Sequence, residues 1–435
     1  MKFFFPDSQD QVDPSFDFET EEHSVTRVRQ RDDLYAHEAL HGAAYSGILV
    51  SKGIVDGISG GAGGRYSIPQ RHRLYRAGVR KFFRLDDVPG PRLQTLGDCG
   101  AFSYVRDPVP PFSVDDVISF YETCGFDLGV SVDHVILGYQ GPKSFVSPEL
   151  LVDWQSRQRL TLELASEFLR KNRELRCRFL PMGVAQGWSP ASYAVAVSEL
   201  QDMGFRRIGI GGLVPLKTSE ILDSLKGIAT VRRTTTELHL FGISRCEHVE
   251  EFRTYGVTSF DSTSPFRQAF KDDRDNYHTP TRTFVALRVP QVDGNARLKR
   301  SVLSGKVAQG KAVELERKCL TALVAYGKGE GTAPDVASLL SEYEHLWAGS
   351  AKHFSRYCEA LEARPWNECP CAICRQLGIQ VMVFRGSERN KRRGFHNVYV
   401  FNERLQQIIT TAGEGRGVGP ALPAQPYLTE EATPS

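Results

Sequence analysis

The sequence predicts an α/β fold whose largest part is a (β/α)₈ TIM barrel. Between residues 40 and 265, short apolar runs alternate with amphipathic stretches, and this strand-then-helix order is typical of a parallel sheet. At 435 residues a closed barrel is the economical way to complete such a sheet, and an open doubly wound sheet is the alternative. Polar residues and glycines also follow the strand candidates in phase, as expected where barrel strands end on one face.

The strand candidates are apolar runs that end in a polar or glycine-containing corner. They are Gly47–Ser51, Leu93–Gly97, Phe126–Asp133, Phe179–Ala185, Arg207–Gly211, Glu237–Ile243 and Gly256–Asp261. The helix candidates between them are Ser113–Cys124, Leu150–Lys171, Ser189–Met203, Lys217–Ile228 and Cys246–Tyr255. Two of these begin with the serine that favours a helix N-terminus, followed by acidic residues or by proline in the first turn.

The composition is that of a folded protein, with 41% hydrophobic and 24% charged residues. It excludes wholesale disorder and collagen-like or low-complexity classes. The first residues form too short an apolar run for a signal peptide, and no apolar stretch approaches membrane-spanning length, so we expect a cytoplasmic protein without a membrane. The net charge of +2 is uninformative, because a nucleic-acid surface would have to be local.

Three of the nine cysteines are crowded together, in Cys369-Pro-Cys371-Ala-Ile-Cys374, and His396 follows 22 residues later. In a reducing compartment this pattern favours a metal over disulfides. Three thiolates and one imidazole complete a tetrahedral zinc site without an open position, so the predicted role is structural. The alternative is a chance cluster of buried cysteines.

Two further motifs resemble known functional sites. His37-Glu38-Ala39-Leu40-His41 matches the zinc-protease pattern H-E-x-x-H, but no third ligand follows, and a solvated helix face explains it equally well. The glycine-rich run 59–64 resembles a phosphate loop without the Gly-Lys-Ser/Thr ending, so it does not support an NTPase.

These patterns divide the chain into five parts. We expect an N-terminal segment at 1–44, the barrel at 45–290, a basic and helical insertion at 291–350, a zinc-binding subdomain with a closing helix at 351–411, and a disordered tail at 412–435. The insertion contains the helix candidates Val313–Tyr326 and Pro334–Trp347, and the closing helix spans about Glu403–Thr411. The tail is rich in Gly, Pro, Ala and Glu, which disfavours a packed core.

Several corners taken together, in order along residues 45–400, resemble one family. They are Gly97-Asp98-Cys99-Gly100-Ala101-Phe102-Ser103, Asp133, Gly183-Val-Ala-Gln186-Gly187, Gly211-Gly212-Leu213 and Ser259-Phe260-Asp261-Ser262-Thr263. With the Cys₃His pattern, this set resembles the queuine tRNA-ribosyltransferase (tRNA-guanine transglycosylase) family. The segments Phe3–Ser8 and Arg29–Tyr35 narrow the resemblance to the DpdA-like branch, whose members are proposed to place a 7-deazaguanine into DNA.

The resemblance implies two catalytic carboxylates. Asp261 matches the nucleophile that attacks C1′ of the target nucleotide and holds the sugar covalently, and Asp98 matches the general acid/base. Two displacements with two carboxylates parallel a retaining glycosidase. For either aspartate alone, a strand-end cap is the simpler interpretation.

The resemblance also implies a base pocket. Asp133 matches the acceptor of the base's N–H groups, and Gln186 matches the side chain that binds its carbonyl oxygen. Gly211, Gly212 and Leu213 match backbone that lies close to the ring. Phe102 and Phe241 match the side chains that sandwich the base, although both are equally compatible with core packing. Cys99 and Ser103 depart from the Ser and Gln that are usual in the tRNA enzymes, so the polar edge of the pocket is expected to differ.

Basic runs are the candidates for nucleic-acid contacts through phosphate neutralisation. They comprise Arg267, Arg297, Lys299, Arg300, Arg389, Lys391, Arg392 and Arg393, with a further run from Arg71 to Lys81. The alternative for each run is an ordinary solvated surface.

The implied function is exchange of guanine in DNA for 7-cyano-7-deazaguanine, supplied as the free base, through a covalent aspartyl intermediate. The alternative substrate is tRNA, which is disfavoured because no RNA-binding domain is evident after residue 411. A third hypothesis is a non-catalytic nucleic-acid-binding barrel, which the presence of both aspartates disfavours. The family also implies a helper ATPase or nuclease-like partner, and the sequence leaves open whether the protein forms a homodimer.

Overall fold

In the computed structural model, which describes residues 1–58, 64–141, 144–271 and 274–413, parallel strands β1 to β8 close into a barrel in chain order. The barrel strands are β1 (Lys2–Pro6), β2 (Gly47–Ser51), β3 (Gln94–Asp98), β4 (Leu128–Val130), β5 (Leu180–Ala185), β6 (Arg207–Ile210), β7 (Glu237–Leu240) and β8 (Val257–Asp261). The predicted closed barrel is therefore confirmed, and the open doubly wound sheet is excluded.

The first strand of the barrel differs from the prediction that the barrel begins at residue 45. Phe3, Phe4 and Phe5 are buried in β1, which pairs with β2 on one side and β8 on the other. The run was short and ended by Pro6, so it did not resemble a strand in the sequence. Without these five residues the barrel would remain open between β2 and β8.

Helices connect the strands, as the strand-then-helix rhythm predicted. Up to β8 they are α1 (Ala36–Ala39), α2 (Lys52–Asp56), α3 (Ile68–Ala77), α4 (Val79–Phe82), α5 (Val114–Cys124), α6 (Pro148–Glu174), α7 (Pro190–Met203), α8 (Thr218–Ala229) and α9 (Val249–Thr254). Short 3₁₀ helices lie at Ala101–Tyr104 and Cys246–His248. Ser113 and Ser189 cap α5 and α7 by accepting backbone N–H groups, as their positions predicted.

The chain divides into two units. The first comprises residues 1–9, 45–263 and the chain from Leu405, and it contains the barrel. The second comprises residues 10–44 and 264–404. The predicted barrel boundary at 290 and the separate N-terminal segment 1–44 are thus corrected, because residues 10–44 and 264–290 both belong to the second unit.

The second unit is mainly helical. It contains α1 and α10 (Ser264–Lys271), α11 (Ala296–Leu303), α12 (Gln309–Gly327), α13 (Ala333–Ala348), α14 (Phe354–Ala363), α15 (Pro365–Glu368), α16 (Ala372–Leu377) and the first part of α17 (Gly386–Gly413). It also has a 3₁₀ helix at Gly378–Met382 and the strands β9 (Tyr277–His278), β10 (Thr283–Phe284), β11 (Leu287–Arg288) and β12 (Val383–Phe384). β9 pairs antiparallel with β10, and β11 pairs parallel with β12.

Buried arginines on α17 and directly before it anchor residues 10–44 within the second unit. Arg385 and Arg389 bind the carboxylate of Glu21, and Arg392 binds Glu388 and the backbone oxygen of Asp13. The interpretation of Arg389, Arg392 and Arg393 as part of an exposed basic run is therefore wrong. The arginines resemble a surface run in the sequence, but the helix turns them inward onto acceptors, of which Glu21 and Asp13 come from a distant part of the chain.

The two weak motifs acquire no function from the described residues. His37 lies in α1, whereas His41 follows that four-residue helix with a left-handed backbone, φ +58°, so their imidazoles do not share a helical face. The glycine-rich run lies outside the described residues apart from Gly64, and the predicted tail lies outside them apart from 412–413, which end α17. No helix among the described residues is long and apolar enough to cross a membrane.

Candidate active site and metal cluster

The two predicted catalytic carboxylates stand at the same height on the barrel's C-terminal face. The register pairs Asp261 with Phe4, Phe4 with Gly47, and Gly47 with Gln94. If this pairing is followed from strand to strand around the whole barrel, it returns to β8 about eight residues closer to the start of that strand. Each strand crossed therefore moves the pairing about one residue toward the beginnings of the strands. Asp98 lies four residues beyond Gln94 and three strands away from β8, so it ends up about level with Asp261.

Asp261 is buried at the end of β8 and is held through one of its oxygens. Its Oδ1 lies 3.2 Å from Nε2 of His239 and accepts a 3.1 Å hydrogen bond from the backbone N–H of Gly242. Nδ1 of His239 in turn lies 2.9 Å from Oγ of Ser259. Sequence reasoning missed His239; its only signal is that it lies two residues before Phe241 and so points to the same side of β7.

Asp98 is held at the end of β3 in a setting that favours its protonated form. Oδ2 accepts hydrogen bonds from Oγ of Ser51 at 2.8 Å and from the backbone N–H of Gly100 at 2.9 Å. Burial of the carboxyl group, with a smaller contribution from the charge of Asp261, raises the pKa of Asp98 even though these hydrogen bonds oppose it. A carboxyl group whose pKa is raised, beside one that is hydrogen-bonded as an acceptor, is the pairing that acid/base and nucleophilic roles require.

Asp133 lies just beyond β4, and both of its oxygens are occupied by protein donors. The thiol of Cys99 donates to Oδ1 at 3.2 Å, and the amide of Gln186 donates to Oδ2 at 2.6 Å. Tyr104 holds Cys99 by donating to its sulfur at 3.0 Å. Burial, and secondarily the charge of Asp98, raises the pKa of Asp133 to about 7. The site therefore contains a carboxylate whose charge changes near neutral pH.

The glycines that were predicted to lie close to the base leave room for the side chain of Gln186. A Cβ on Gly211 would lie 2.1 Å from Nε2 of Gln186, so only glycine leaves room for that amide. The backbone of Gly212 has φ +72°, which glycine adopts without strain. Oε1 of Gln186 accepts the backbone N–H of Ile136 at 3.2 Å, and Leu213 is buried beside this corner.

The two phenylalanines predicted to sandwich a base differ in exposure. Phe102 lies on the 3₁₀ helix after β3 and is 50% exposed, so part of its ring is accessible. Phe241 is half-buried and packs on the barrel interior formed by Phe4, Leu49, Leu96, Leu128, Val130, Met182 and Val184. A Cβ on Gly209 would lie 2.2 Å from the Phe241 ring, so this glycine makes room for it.

The predicted metal ligands come together in the second unit. Cys369, Cys371, Cys374 and His396 bring their ligand atoms within 4.8 Å of one another. Nδ1 of His396 lies 3.4, 3.5 and 3.3 Å from the three sulfur atoms in that order. This arrangement could hold a metal ion. It is the one cluster of His, Cys, Asp and Glu with that capacity among the residues that the structure describes.

Second-layer contacts fix the histidine of this cluster. The free ring nitrogen of His396, Nε2, lies 2.8 Å from the backbone oxygen of His278, which leaves Nδ1 facing the sulfurs. The ring of Tyr277 stacks on His396 at 4.0 Å, and its hydroxyl lies 3.2 Å from Sγ of Cys374. The side chain of Asn397 positions β9 by hydrogen bonds to the backbone of His278 and Asn276.

The predicted nucleic-acid contacts fall into two groups. Arg297, Lys299 and Arg300 are exposed on α11, and Arg267 on α10 and Lys391 on α17 are partly buried. In contrast, Arg389, Arg392 and Arg393 are buried in the second unit. Arg393 donates to the backbone oxygens of Ala269, Val381 and Val383. These three guanidinium groups are thus part of the interior and are withdrawn as phosphate contacts.

Comparison with known proteins settles the family. The chain is 46% identical over 420 residues, 96% of its own length and 99% of the relative's, to a DNA-guanine transglycosylase from Salmonella montevideo. The chain belongs to the DNA-guanine transglycosylase family. No family model matches it. The family resemblance found in the sequence, including the narrower DNA-directed branch, is confirmed.

Proposed function

We propose that this protein exchanges guanine in DNA for a free 7-deazaguanine base, 7-cyano-7-deazaguanine, and that Asp261 and Asp98 carry the exchange. The 46% identity to a DNA-guanine transglycosylase, over 96% of the chain, supports the reaction class. The observation that carries the residue roles is the pair of carboxylates at one height of the barrel face, one hydrogen-bonded as an acceptor and the other favoured in its protonated form.

In the first displacement, an oxygen of Asp261 attacks C1′ of the target nucleotide and the bond from C1′ to guanine breaks. The electron pair goes to the guanine, which takes a proton from Asp98. In the second, the incoming base gives a proton to Asp98 and attacks C1′, and Asp261 leaves as a carboxylate. Atoms and charges balance without an oxidant, a reductant or a bound cofactor, and two inversions retain the configuration at C1′.

Base recognition is assigned to Asp133, Gln186 and the backbone of Gly211 to Leu213, with Phe102 and Phe241 flanking the ring. The carboxylate of Asp133 suits the ring N–H and amino donors of a guanine or 7-deazaguanine. Gln186 donates to Asp133 and would turn its amide to the base's carbonyl oxygen. Holding an extruded base between apolar faces while reading its polar edge is the general solution for chemistry on a base.

The Cys₃His cluster is assigned to one structural zinc ion. In a tetrahedral site, zinc places a histidine nitrogen about 3.6 Å from each sulfur, and the separations of 3.3 to 3.5 Å fit that spacing. All four tetrahedral positions are filled by protein, so the ion would stabilise the second unit and would take no part in the base exchange.

DNA is the proposed partner, with the exposed cations of α11 as candidate phosphate contacts. Extruding a paired guanine costs a few kcal/mol, which gives a helper ATPase or nuclease-like protein a physical role in opening the duplex. That partner and a homodimer stay predictions from the family resemblance. A DNA substrate would also suit the expected cytoplasmic location.

The test is base exchange by purified protein on matched DNA and tRNA. Labelled 7-cyano-7-deazaguanine is supplied with duplex DNA, single-stranded DNA or tRNA, and incorporation is followed by mass spectrometry of the digested nucleosides. We expect label in DNA, a denaturant-stable protein–DNA adduct when the incoming base is withheld, and neither with Asp261→Asn. The control Asp87→Asn changes an exposed aspartate and should exchange normally.

Three outcomes would contradict the proposal. Label in tRNA alone would move the assignment to the tRNA reaction. Exchange by Asp261→Asn at the parental rate would remove the nucleophile assignment. Absence of label from every substrate, together with unchanged deazaguanine content in the DNA of cells lacking the gene, would favour the non-catalytic barrel.

A further inference from the structure

We infer that His239 is a positioning residue that decides which oxygen of Asp261 attacks the sugar. This inference rests on the proposed function, in which Asp261 is the nucleophile. A free carboxylate has two equivalent oxygens and rotates about its Cβ–Cγ bond, so it offers the attacking lone pair in many directions. The contacts around Asp261 make the two oxygens different before any substrate binds.

Both donors act on the same oxygen. Nε2 of His239 and the backbone N–H of Gly242 both contact Oδ1, at 3.2 and 3.1 Å, whereas Oδ2 accepts no hydrogen bond within the described parts of the chain. Gly242 has φ +73°, a conformation that aims its N–H at the carboxylate and that other residues rarely adopt. Oδ1 is thereby held, and Oδ2 is left for C1′.

The imidazole of His239 is itself fixed from three sides. Ser259 Oγ lies 2.9 Å from Nδ1, and the ring meets the edges of Phe4 at 5.9 Å and Phe241 at 4.7 Å between centroids. The side chain is 1% exposed, so it has no water to turn toward. An ionised carboxylate can only accept, so Nε2 must carry the hydrogen, and the serine hydroxyl can then donate to Nδ1.

This arrangement serves both displacements. When Oδ2 bonds to C1′, Oδ1 becomes the carbonyl oxygen of the ester and keeps both donors. When the incoming base displaces Asp261, negative charge returns to the carboxylate, and the same two donors stabilise it as the leaving group. Donors that are in place before the charge develops need no reorganisation, which is the basis of their effect on rate.

The test separates positioning from base binding. His239→Leu removes the donor, His239→Gln keeps an amide N–H near the same place, and Ser259→Ala frees the ring. With His239→Leu, we expect the single-turnover rates of adduct formation and breakdown to fall about 100-fold, while the KM for the incoming base changes less than about twofold. His239→Gln should recover at least about tenfold of that loss, and Ser259→Ala should lose several-fold.

The control is His345→Leu, which changes an exposed histidine on α13 and should leave both rates unchanged. Thermal unfolding of each variant is measured alongside. If wild-type protein exchanges base and His239→Leu forms the adduct at the wild-type rate, this inference alone is overturned. Equal losses in His239→Leu and His239→Gln with a lowered unfolding temperature would also overturn it, in favour of a packing role. If the wild type exchanges no base, the proposed function fails and the inference falls with it.

Discussion

The side-chain amide of Gln186 donates a 2.6 Å hydrogen bond to Oδ2 of Asp133, while the thiol of Cys99 donates to Oδ1 of the same carboxylate. The group assigned to read the base is therefore occupied by the protein before a base arrives. A base that brings its own N–H donors must displace Gln186, whose amide is then free to turn toward the base's carbonyl oxygen. Cys99 is held from behind by Tyr104 and can stay in place.

Affinity for the free base is expected to depend on pH through Asp133. Its pKa is raised to about 7, mainly by burial, and only the ionised form accepts the base's N–H groups. Binding of 7-cyano-7-deazaguanine should therefore tighten by about tenfold between pH 6 and pH 8, as measured by calorimetry. Asp133→Asn should bind weakly at both pH values. A wild-type affinity that is constant across this range would show that Asp133 does not titrate against the ligand.

The same raised pKa predicts that Asp133 lowers the protein's stability at alkaline pH. The folded protein holds this proton up to about pH 7, whereas the unfolded chain releases it near pH 4. The free energy of unfolding should thus contain a contribution that is complete below about pH 4 and is lost as the pH rises through 7.

Asp133→Asn removes the cost of burying that charge and should stabilise the protein by about 1–3 kcal/mol at pH 8. Urea unfolding at several pH values measures the difference. At pH 4, where the wild-type carboxyl is protonated, the two proteins should be nearly equal, which provides the internal control. A variant that is less stable than the wild type at pH 8 would contradict the assignment.

The corners that carry the site were predictable from the sequence because barrel strands repeat in phase. Asp98 and Asp261 both end apolar runs, and strands that run parallel in a closed barrel must end on one face. Their common height needed the strand register, which the sequence does not contain. His239 was not predictable, because one polar residue inside Glu237–Leu240 has no periodic partner that would distinguish a buried ligand of Asp261 from an exposed side chain.

Two failures of the sequence reasoning have physical causes of the same kind. Phe3 to Phe5 form a barrel strand only because β2 and β8 lie on either side of it, a long-range condition that no local pattern reports. Arg389 to Arg393 were interpreted as a surface because arginine is rarely buried without a partner. Two of the partners, Glu21 for Arg389 and the backbone oxygen of Asp13 for Arg392, lie more than 360 positions away in the sequence, so charge patterning could not reveal them.

The two groups of arginines should therefore respond differently to substitution. Replacing Arg297, Lys299 and Arg300 of α11 by alanine should weaken DNA binding. The slope of the logarithm of the association constant against the logarithm of the salt concentration should become shallower by about two to three. The fold should be unaffected, because all three side chains are exposed. Lys226→Ala, at an exposed cation of α8, is the matched control and should bind DNA as the wild type does.

Arg393→Ala, measured in the same experiments, should lower the stability of the fold and leave DNA binding by the folded protein unchanged. It leaves backbone oxygens of Ala269, Val381 and Val383 without their donor in the interior, which should lower the free energy of unfolding by about 3 kcal/mol. The salt dependence of DNA binding by the folded fraction should stay at the wild-type value. If Arg393→Ala instead lowered that dependence while stability held, the buried position of its guanidinium group would be contradicted.

The hydroxyl of Tyr277 is expected to tune metal affinity through Cys374. It lies 3.2 Å from Sγ of that ligand, and a metal-bound thiolate can only accept, so the hydroxyl donates when the ion is held. Tyr277→Phe keeps the ring that stacks on His396 and removes the hydroxyl, which also lies 3.4 Å from the backbone oxygen of Pro365. Because second-layer donors typically contribute tenfold or more to affinity, we expect zinc affinity to fall about tenfold in competition with a chromogenic chelator. The control Tyr357→Phe changes a buried tyrosine of the same unit outside the cluster and should leave the zinc affinity unchanged. Equal zinc affinities for Tyr277→Phe and the wild type would mean that the Tyr277 hydroxyl does not affect the bound ion.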